Sequence, residues 1–211
     1  FIRSLGVPES KIVSSKYGFD RTAITYRRKT YTKDSKLTFG YTGRIIPVKG
    51  VALLLEAFKR FEGRGHRLLV FGDDSSVRPY LKRRASSDTH LMGSYDNQSI
   101  DCILDRIDVL VVPSIWLENS PLVIQEAFLK GVPVITSDLG GMAELVKHGV
   151  NGLLFSPGDV RSLSDTLKMV MDDPTLLNRL IIDPHTVRDG VEEAGSMIGL
   201  YNKLLGGGTT D

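Results

Sequence analysis

The sequence predicts an α/β fold, a six-stranded parallel sheet with helices on both faces. Three observations carry this. From Lys36 onward, short apolar runs alternate with stretches whose apolar residues recur every three and four positions, the period of a helix. Each run closes on Gly, Asp or Ser, as strands do where they pass into loops. The strand–helix–strand unit recurs five times, and such crossovers place successive strands parallel with helices covering the sheet.

The six runs are "KLTFGYTG" (36–43), "HRLLVFGDD" (66–74), "THLMGSYD" (89–96), "IDVLVVPS" (107–114), "VPVITSD" (132–138) and "GLLFSPGD" (152–159). Between them "VALLLEAFKRFEG" (51–63), "SVRPYLKRRAS" (76–86), "NQSIDCILDRI" (97–107), "SPLVIQEAFLKG" (120–131) and "GMAELVKHG" (141–149) carry the helical period. After Asp159, "DVRSLSDTLKMVMDD" and "HTVRDGVEEAGSMIGLYNKLL" read as terminal helices, and the glycine-rich tail from Gly206 reads as disordered. Residues before Lys36 are polar, basic and without periodicity, and read as a linker.

Composition narrows the function classes. With 211 residues, 41% hydrophobic and 25% charged, the chain can build one full core. A net charge of +2 argues for neither nucleic acid nor membrane as partner. The single cysteine, Cys102, excludes an internal disulfide framework and points to a reducing compartment, with Cys102 itself expected as a buried apolar residue. No apolar run reaches the ~20 residues of a membrane span. His66, His90, His148 and His185 lack metal-ligand spacing.

Parallel sheets bind ligands at the carboxyl ends of their strands, near the switch in strand order. The loop after the first run, "TGRIIPVKG", offers Gly43, Arg44, Lys49 and Gly50, two glycines for close approach and two cations able to clamp a phosphate. A solvated basic turn is the competing reading. Neither a Walker loop nor a dinucleotide fingerprint occurs. In "WLENSPLVIQEA", Ser120 and Pro121 stand in the order of an N-cap and first helical residue, so a helix is expected to begin at Pro121 and aim its free N–H groups at the crevice. Glu118 lies just ahead of that terminus and Glu126 about 7 to 9 Å farther along the helix. A third loop, "SDLGGMAELV", would present the N–H groups of Gly140 and Gly141 at a helix expected from Met142.

These motifs, in this order from about Ile12 to Leu205, resemble the retaining glycosyltransferases of family 4, or group 1, whose GT-B architecture pairs two Rossmann-like domains. "VSSKYGFD" looks like the family's linker into its second domain, "TGRIIPVKG" its diphosphate loop, "ENSPLVIQE" its paired-glutamate motif and "GGMAELV" its sugar-proximal glycine loop. The resemblance implies a donor-binding half, with residues 1–35 as interdomain linker and remnant of an N-terminal domain, 36–182 as the nucleotide-sugar-binding domain, and 183–205 as a helix crossing back to that partner. It implies a nucleoside diphosphate sugar as donor, no cofactor and no metal, and a cytoplasmic setting. Any membrane association would run through the N-terminal, acceptor-binding domain. Arg44 and Lys49 would hold the diphosphate, with Gly43 beside them, and Glu118 would face the donor sugar. Asn119, Ser120, Pro121 and Leu122 would meet sugar or phosphate, Glu126 the ribose, Gly93 and Ser94 the base, and Gly140 and Gly141 the sugar side. An epimerase of the same architecture and a non-catalytic nucleotide-binding module are the alternative readings.

Overall fold

A computed structural model describes residues 5–206, which divide into two compact units, Thr22–Thr186 and the terminal segments up to Arg21 and from Val187. The larger unit holds six strands, all at the predicted positions: β1 (Thr38–Thr42), β2 (Arg67–Phe71), β3 (Thr89–Gly93), β4 (Val109–Val112), β5 (Val134–Ser137) and β6 (Gly152–Phe155). Every pairing is parallel, in the order β3-β2-β1-β4-β5-β6. The order therefore reverses between β1 and β4, and the crevice lies above that seam.

Seven helices belong to this unit: α1 (Val51–Lys59), α2 (Arg78–Lys82), α3 (Ile100–Asp105), α4 (Leu122–Lys130), α5 (Gly140–Leu145), α6 (Val160–Asp172) and α7 (Leu176–Arg179). α1 buries Val51, Leu54, Leu55 and Phe58, one stripe at helical spacing, and packs on α6, which buries Leu163, Leu167 and Val170 among others. α3 packs against α4. Covered by helices on both faces, β1 and β4 are buried at every position. Gly40 is required in β1 because a Cβ there would stand 2.2 Å from Ile107 Cδ1.

Three expectations change. Cys102 is exposed, because α3 turns Ile100, Ile103 and Leu104 inward and leaves Cys102 on the outer side. α4 begins at Leu122 with Pro121 as its cap; Ser120 Oγ instead accepts from Gln125 Nε2 at 3.0 Å and caps nothing. α5 begins at Gly140, two residues before the expected Met142.

Residues 22–35, read as a linker, form no helix or strand yet are fastened along their length. Thr25 N donates to Asp101 Oδ1 (3.0 Å), Arg27 N to Lys130 O (2.8 Å), Lys29 Nζ to Asp108 Oδ1 (2.9 Å) and Tyr31 N to Asn178 Oδ1 (2.9 Å). Lys130 is itself 2% exposed and held by Asp101 and Asp105 at 2.7 and 3.0 Å, so the strap closes over a compensated charge cluster.

In the smaller unit, α8 (Gly190–Gly206) starts five residues after the expected His185, and none of its residues is buried. Glu193 Oε2 accepts from Gly18 N at 2.6 Å, and Phe19 exchanges backbone hydrogen bonds with Arg188 and Gly190. The expected tail beyond Gly206 lies outside the described residues.

Three loops at the carboxyl ends of β1, β4 and β5 are locked together backbone to backbone. Ile115 N donates to Val48 O at 2.9 Å and Gly141 N to Glu118 O at 2.8 Å. Gly50, with φ of 70°, fits so closely that a Cβ would stand 1.9 Å from Pro113 O; one at Gly141 would stand 1.9 Å from Asn119 O. Gly63 has a similar φ of 78° but open space around it. Gly63→Ala is expected to cost only the left-handed penalty, about 1 to 2 kcal/mol. Gly50→Ala adds a backbone collision and should lose more than about 3 kcal/mol, lowering the melting temperature by on the order of 6 to 12 °C. Equal shifts for the two variants would show that the loops do not need this contact.

Candidate functional site

The loops after β1 and β4 border a small cavity of about 110 Å³, lined by Gly43, Arg44, Lys49, Ser114, Pro121 and Leu122 among others. Five of the predicted site residues thus meet in one place. Tyr41 shapes the entrance from the β1 side: its hydroxyl donates to Arg44 O at 2.7 Å and fixes the turn that displays the arginine. The Arg44 side chain is exposed and makes no ion pair with any described residue.

Lys49 and Glu118 form the centre. Lys49 Nζ lies 2.6 Å from Glu118 Oε1, with side-chain exposures of only 26% and 16%. Ser114 Oγ stands 2.8 Å from the same oxygen and 3.1 Å from Val48 O, and its one proton serves either acceptor. The glutamate is therefore aimed from β4 toward the β1 loop. An anion entering the cavity would compete with Glu118 for the Lys49 ammonium.

The second charged feature is the start of α4. Pro121 O accepts from Ile124 N at 3.1 Å, whereas the N–H groups of Leu122 and Val123 have no acceptor among the described residues. Together with the helix dipole, these donors favour negative charge in the cavity.

Glu126 lies one turn into α4. Burial pushes its carboxyl above the ordinary range, and no cation compensates it. Burial and the nearby Glu126 charge push the Tyr95 hydroxyl up as well. Burial likewise raises Tyr41, with Tyr95 and Glu118 adding and Arg44 opposing. These shifts put Tyr41, Arg44, Tyr95, Glu118 and Glu126 within one electrostatic neighbourhood. The buried Thr42 hydroxyl, beside Tyr95, makes no hydrogen bond of good geometry.

Other predicted residues are placed differently. Gly93 (φ 80°) ends β3, half-buried and paired with β2, and Ser94 just after it is exposed; neither has a described contact to the Lys49–Glu118 pair. Asn119 is exposed. Gly140 takes φ of 52° against Leu117 and Glu118, but the Gly141 N–H is not available to a ligand, because Glu118 O already accepts it. Tyr41, Thr42, Ser114 and Tyr95 were missed. All four stand at or just past strand carboxyl ends, and applying the crevice rule to every strand exit would have found them. Among the described residues no group of three or more His, Cys, Asp or Glu side chains could hold a metal ion. No described helix is long and apolar enough to cross a membrane.

Comparison with known proteins bears on the fold and the family. Residues 23–183 match the family model described as glycosyl transferases group 1. The 2-deoxystreptamine glucosyltransferase of Streptomyces kanamyceticus is 30% identical over 177 residues, 79% of this chain and 46% of that protein. A crystal structure of Anabaena HepE in complex with UDP and glucose superposes with a TM-score of 0.73 at 21% identity, over 88% of this chain and 55% of that one. The C-terminal domain of a group 1 glycosyl transferase from Francisella tularensis superposes at 0.66 with 20% identity, over 81% of this chain and 96% of that one. The chain spans less than half the length of the curated relatives it matches.

Two expected outcomes follow from the charges. Glu118→Gln removes the anion that occupies Lys49 and should tighten binding of inorganic pyrophosphate by about tenfold, roughly 1.4 kcal/mol, while Lys49→Met should weaken it. Calorimetric titration checks both, and a Glu118→Gln variant that binds more weakly would remove the competition. For Glu126 the sign is that of a raised carboxyl: stability is full below the ordinary glutamate value and is lost as pH rises from there through the folded-state value. Glu126→Gln should therefore be more stable than the parent at neutral pH in urea, with the advantage vanishing in acid.

Proposed function

Because this chain belongs to the glycosyl transferases group 1 family, we propose that it is the donor-binding half of a retaining glycosyltransferase that moves a hexose from a nucleoside diphosphate sugar to an acceptor. The observation that carries the reading is the cavity in which Lys49, Arg44 and the free N–H groups opening α4 converge. Two cations and a helix terminus on one small space suit a diphosphate.

In this reading the bond from the anomeric carbon to the diphosphate breaks with its electron pair on the phosphate oxygen. Arg44 and Lys49 meet the charge that grows there, so their attraction is larger in the transition state than in the bound donor. They take the place a divalent cation would otherwise fill, which is the basis for proposing a metal-independent reaction without a cofactor. Glu118, released from Lys49 by the phosphate, turns its acceptor oxygens to the sugar hydroxyls. Glu126 accepts from the ribose hydroxyls, and the desolvation that raises its carboxyl sharpens its preference for donors. Gly93, Ser94 and Tyr95 form the side on which the base lies. The acceptor and the rest of the active site belong to a second, N-terminal domain in this proposal.

HepE is described with UDP and glucose, so uridine nucleotides are the first to try, with guanosine and adenosine diphosphates and their hexose conjugates alongside. Titration calorimetry in EDTA should show one nucleoside diphosphate binding. Arg44→Ala should weaken it by about 10- to 150-fold, corresponding to roughly 1.5 to 3 kcal/mol. Glu126→Ala should weaken the nucleotide but leave pyrophosphate unchanged. Binding that needs added Mg²⁺ would overturn metal independence, and no binding by any nucleotide would overturn the donor site.

A further inference from the structure

An anion that takes the Lys49 ammonium strips Glu118 of its cation. The carboxylate is only 16% exposed, so water makes up little of the loss. Among the described residues, one other side chain donates to it: Ser114, whose Oγ stands 2.8 Å from Glu118 Oε1.

Ser114 is held still while its proton is not. The residue is 1% exposed and lies two positions past the end of β4. Val112 O before it accepts from Thr136 Oγ1 at 2.9 Å, and Ile115 N after it donates to Val48 O at 2.9 Å. The hydroxyl therefore stays between two acceptors, Val48 O at 3.1 Å and Glu118 Oε1 at 2.8 Å, and only the O–H bond turns. Val48 O keeps the Ile115 N–H in either case, so the lock between the loops does not need the hydroxyl.

We propose that Ser114 is a positioning residue for Glu118, committing its proton to Oε1 as an anion draws Lys49 away. With Lys49 in place, Oε1 already has a charged donor at 2.6 Å, and the hydroxyl is free to serve Val48 O. Once Lys49 turns to the ligand, a hydrogen bond to the lone carboxylate is stronger than one to a carbonyl, and the proton settles on Glu118. Held through Oε1, the glutamate keeps its place and offers Oε2 to the donor. A hydroxyl that only braced the loops would stabilise them equally with and without an anion. This inference rests on the donor reading of the cavity, because only an anion drives the exchange.

The test is a double-mutant cycle on the chain, titrated calorimetrically with inorganic pyrophosphate in EDTA, with melting temperatures recorded in the absence of ligand. Ser114→Ala should weaken pyrophosphate binding about five- to tenfold, the excess of a hydrogen bond to a charged group over one to a neutral group. Glu118→Ala removes the carboxylate, and in that background Ser114→Ala should change the affinity less than about twofold. Ser114→Cys, similar in shape but a weak donor, should fall between serine and alanine, and it takes the place of the alanine variant if melting shows that one unfolded. Equal losses in the two backgrounds would overturn the proposal, since the serine would then act on the loops and not on Glu118. An unchanged or tightened affinity in Ser114→Ala would overturn it too. A parent chain that binds no pyrophosphate overturns the donor site and this inference together, whereas a parent that binds, with no coupling between positions 114 and 118, overturns this inference alone.

Discussion

The site depends on backbones meeting with no side chain between them. The β4 loop sits in the middle, and the loops after β1 and β5 close on it from either side through Val48–Ile115 and Glu118–Gly141 hydrogen bonds. Glycine at positions 50 and 141 makes this possible, since a single methyl group at either would stand 1.9 Å from a carbonyl oxygen, far inside van der Waals contact. Everything chemical follows from that closeness. Lys49 reaches Glu118 because the turn before Gly50 cannot drift away from Pro113, and Glu118 is steady because its own carbonyl is tied to α5.

The arrangement holds several groups at a stability cost typical of a binding cavity. Glu126 is desolvated without a cation among the described residues, the Thr42 hydroxyl is buried without a good partner, and the N–H groups of Leu122 and Val123 have no acceptor among the described residues. Each would be satisfied by an oxygen-rich ligand. The same domain treats a buried charge elsewhere in the opposite way: Lys130 is answered by two aspartates and covered by the strap. The contrast is between a charge compensated within the fold and groups left uncompensated, the pattern expected of a binding site.

Much of this was legible in the residues. All six strands and the helices between them follow from periodicity, because parallel strands and amphipathic helices write their burial directly into the chain. Arg44, Lys49, Pro121 and Leu122 could be gathered by the rule that ligands sit at strand carboxyl ends. What could not be read is whatever depends on partners distant in sequence. Ser120 looks like a cap until Gln125 takes its hydroxyl, and Gly141 looks like an open donor until Glu118 takes its proton. The strap lacks any period because its order comes from Asp101, Lys130 and Asn178 rather than from its own side chains.

The register slip between β2 and β3 reaches further than its size suggests. Val70 pairs with Leu91 but Phe71 with Gly93, so one residue of β3 is skipped. Slips of this kind bend the outer strand and increase its twist. β3 is also, with β6, one of the two edge strands, and an untwisted edge is the natural template for another chain to add to the sheet. Two residues past β3 the Tyr95 ring stands edge-on to Phe71, at 6.3 Å, and a bent edge is a poorer template than a flat one. The skipped residue thus falls where β3 is at once an edge of the sheet and the approach to Tyr95.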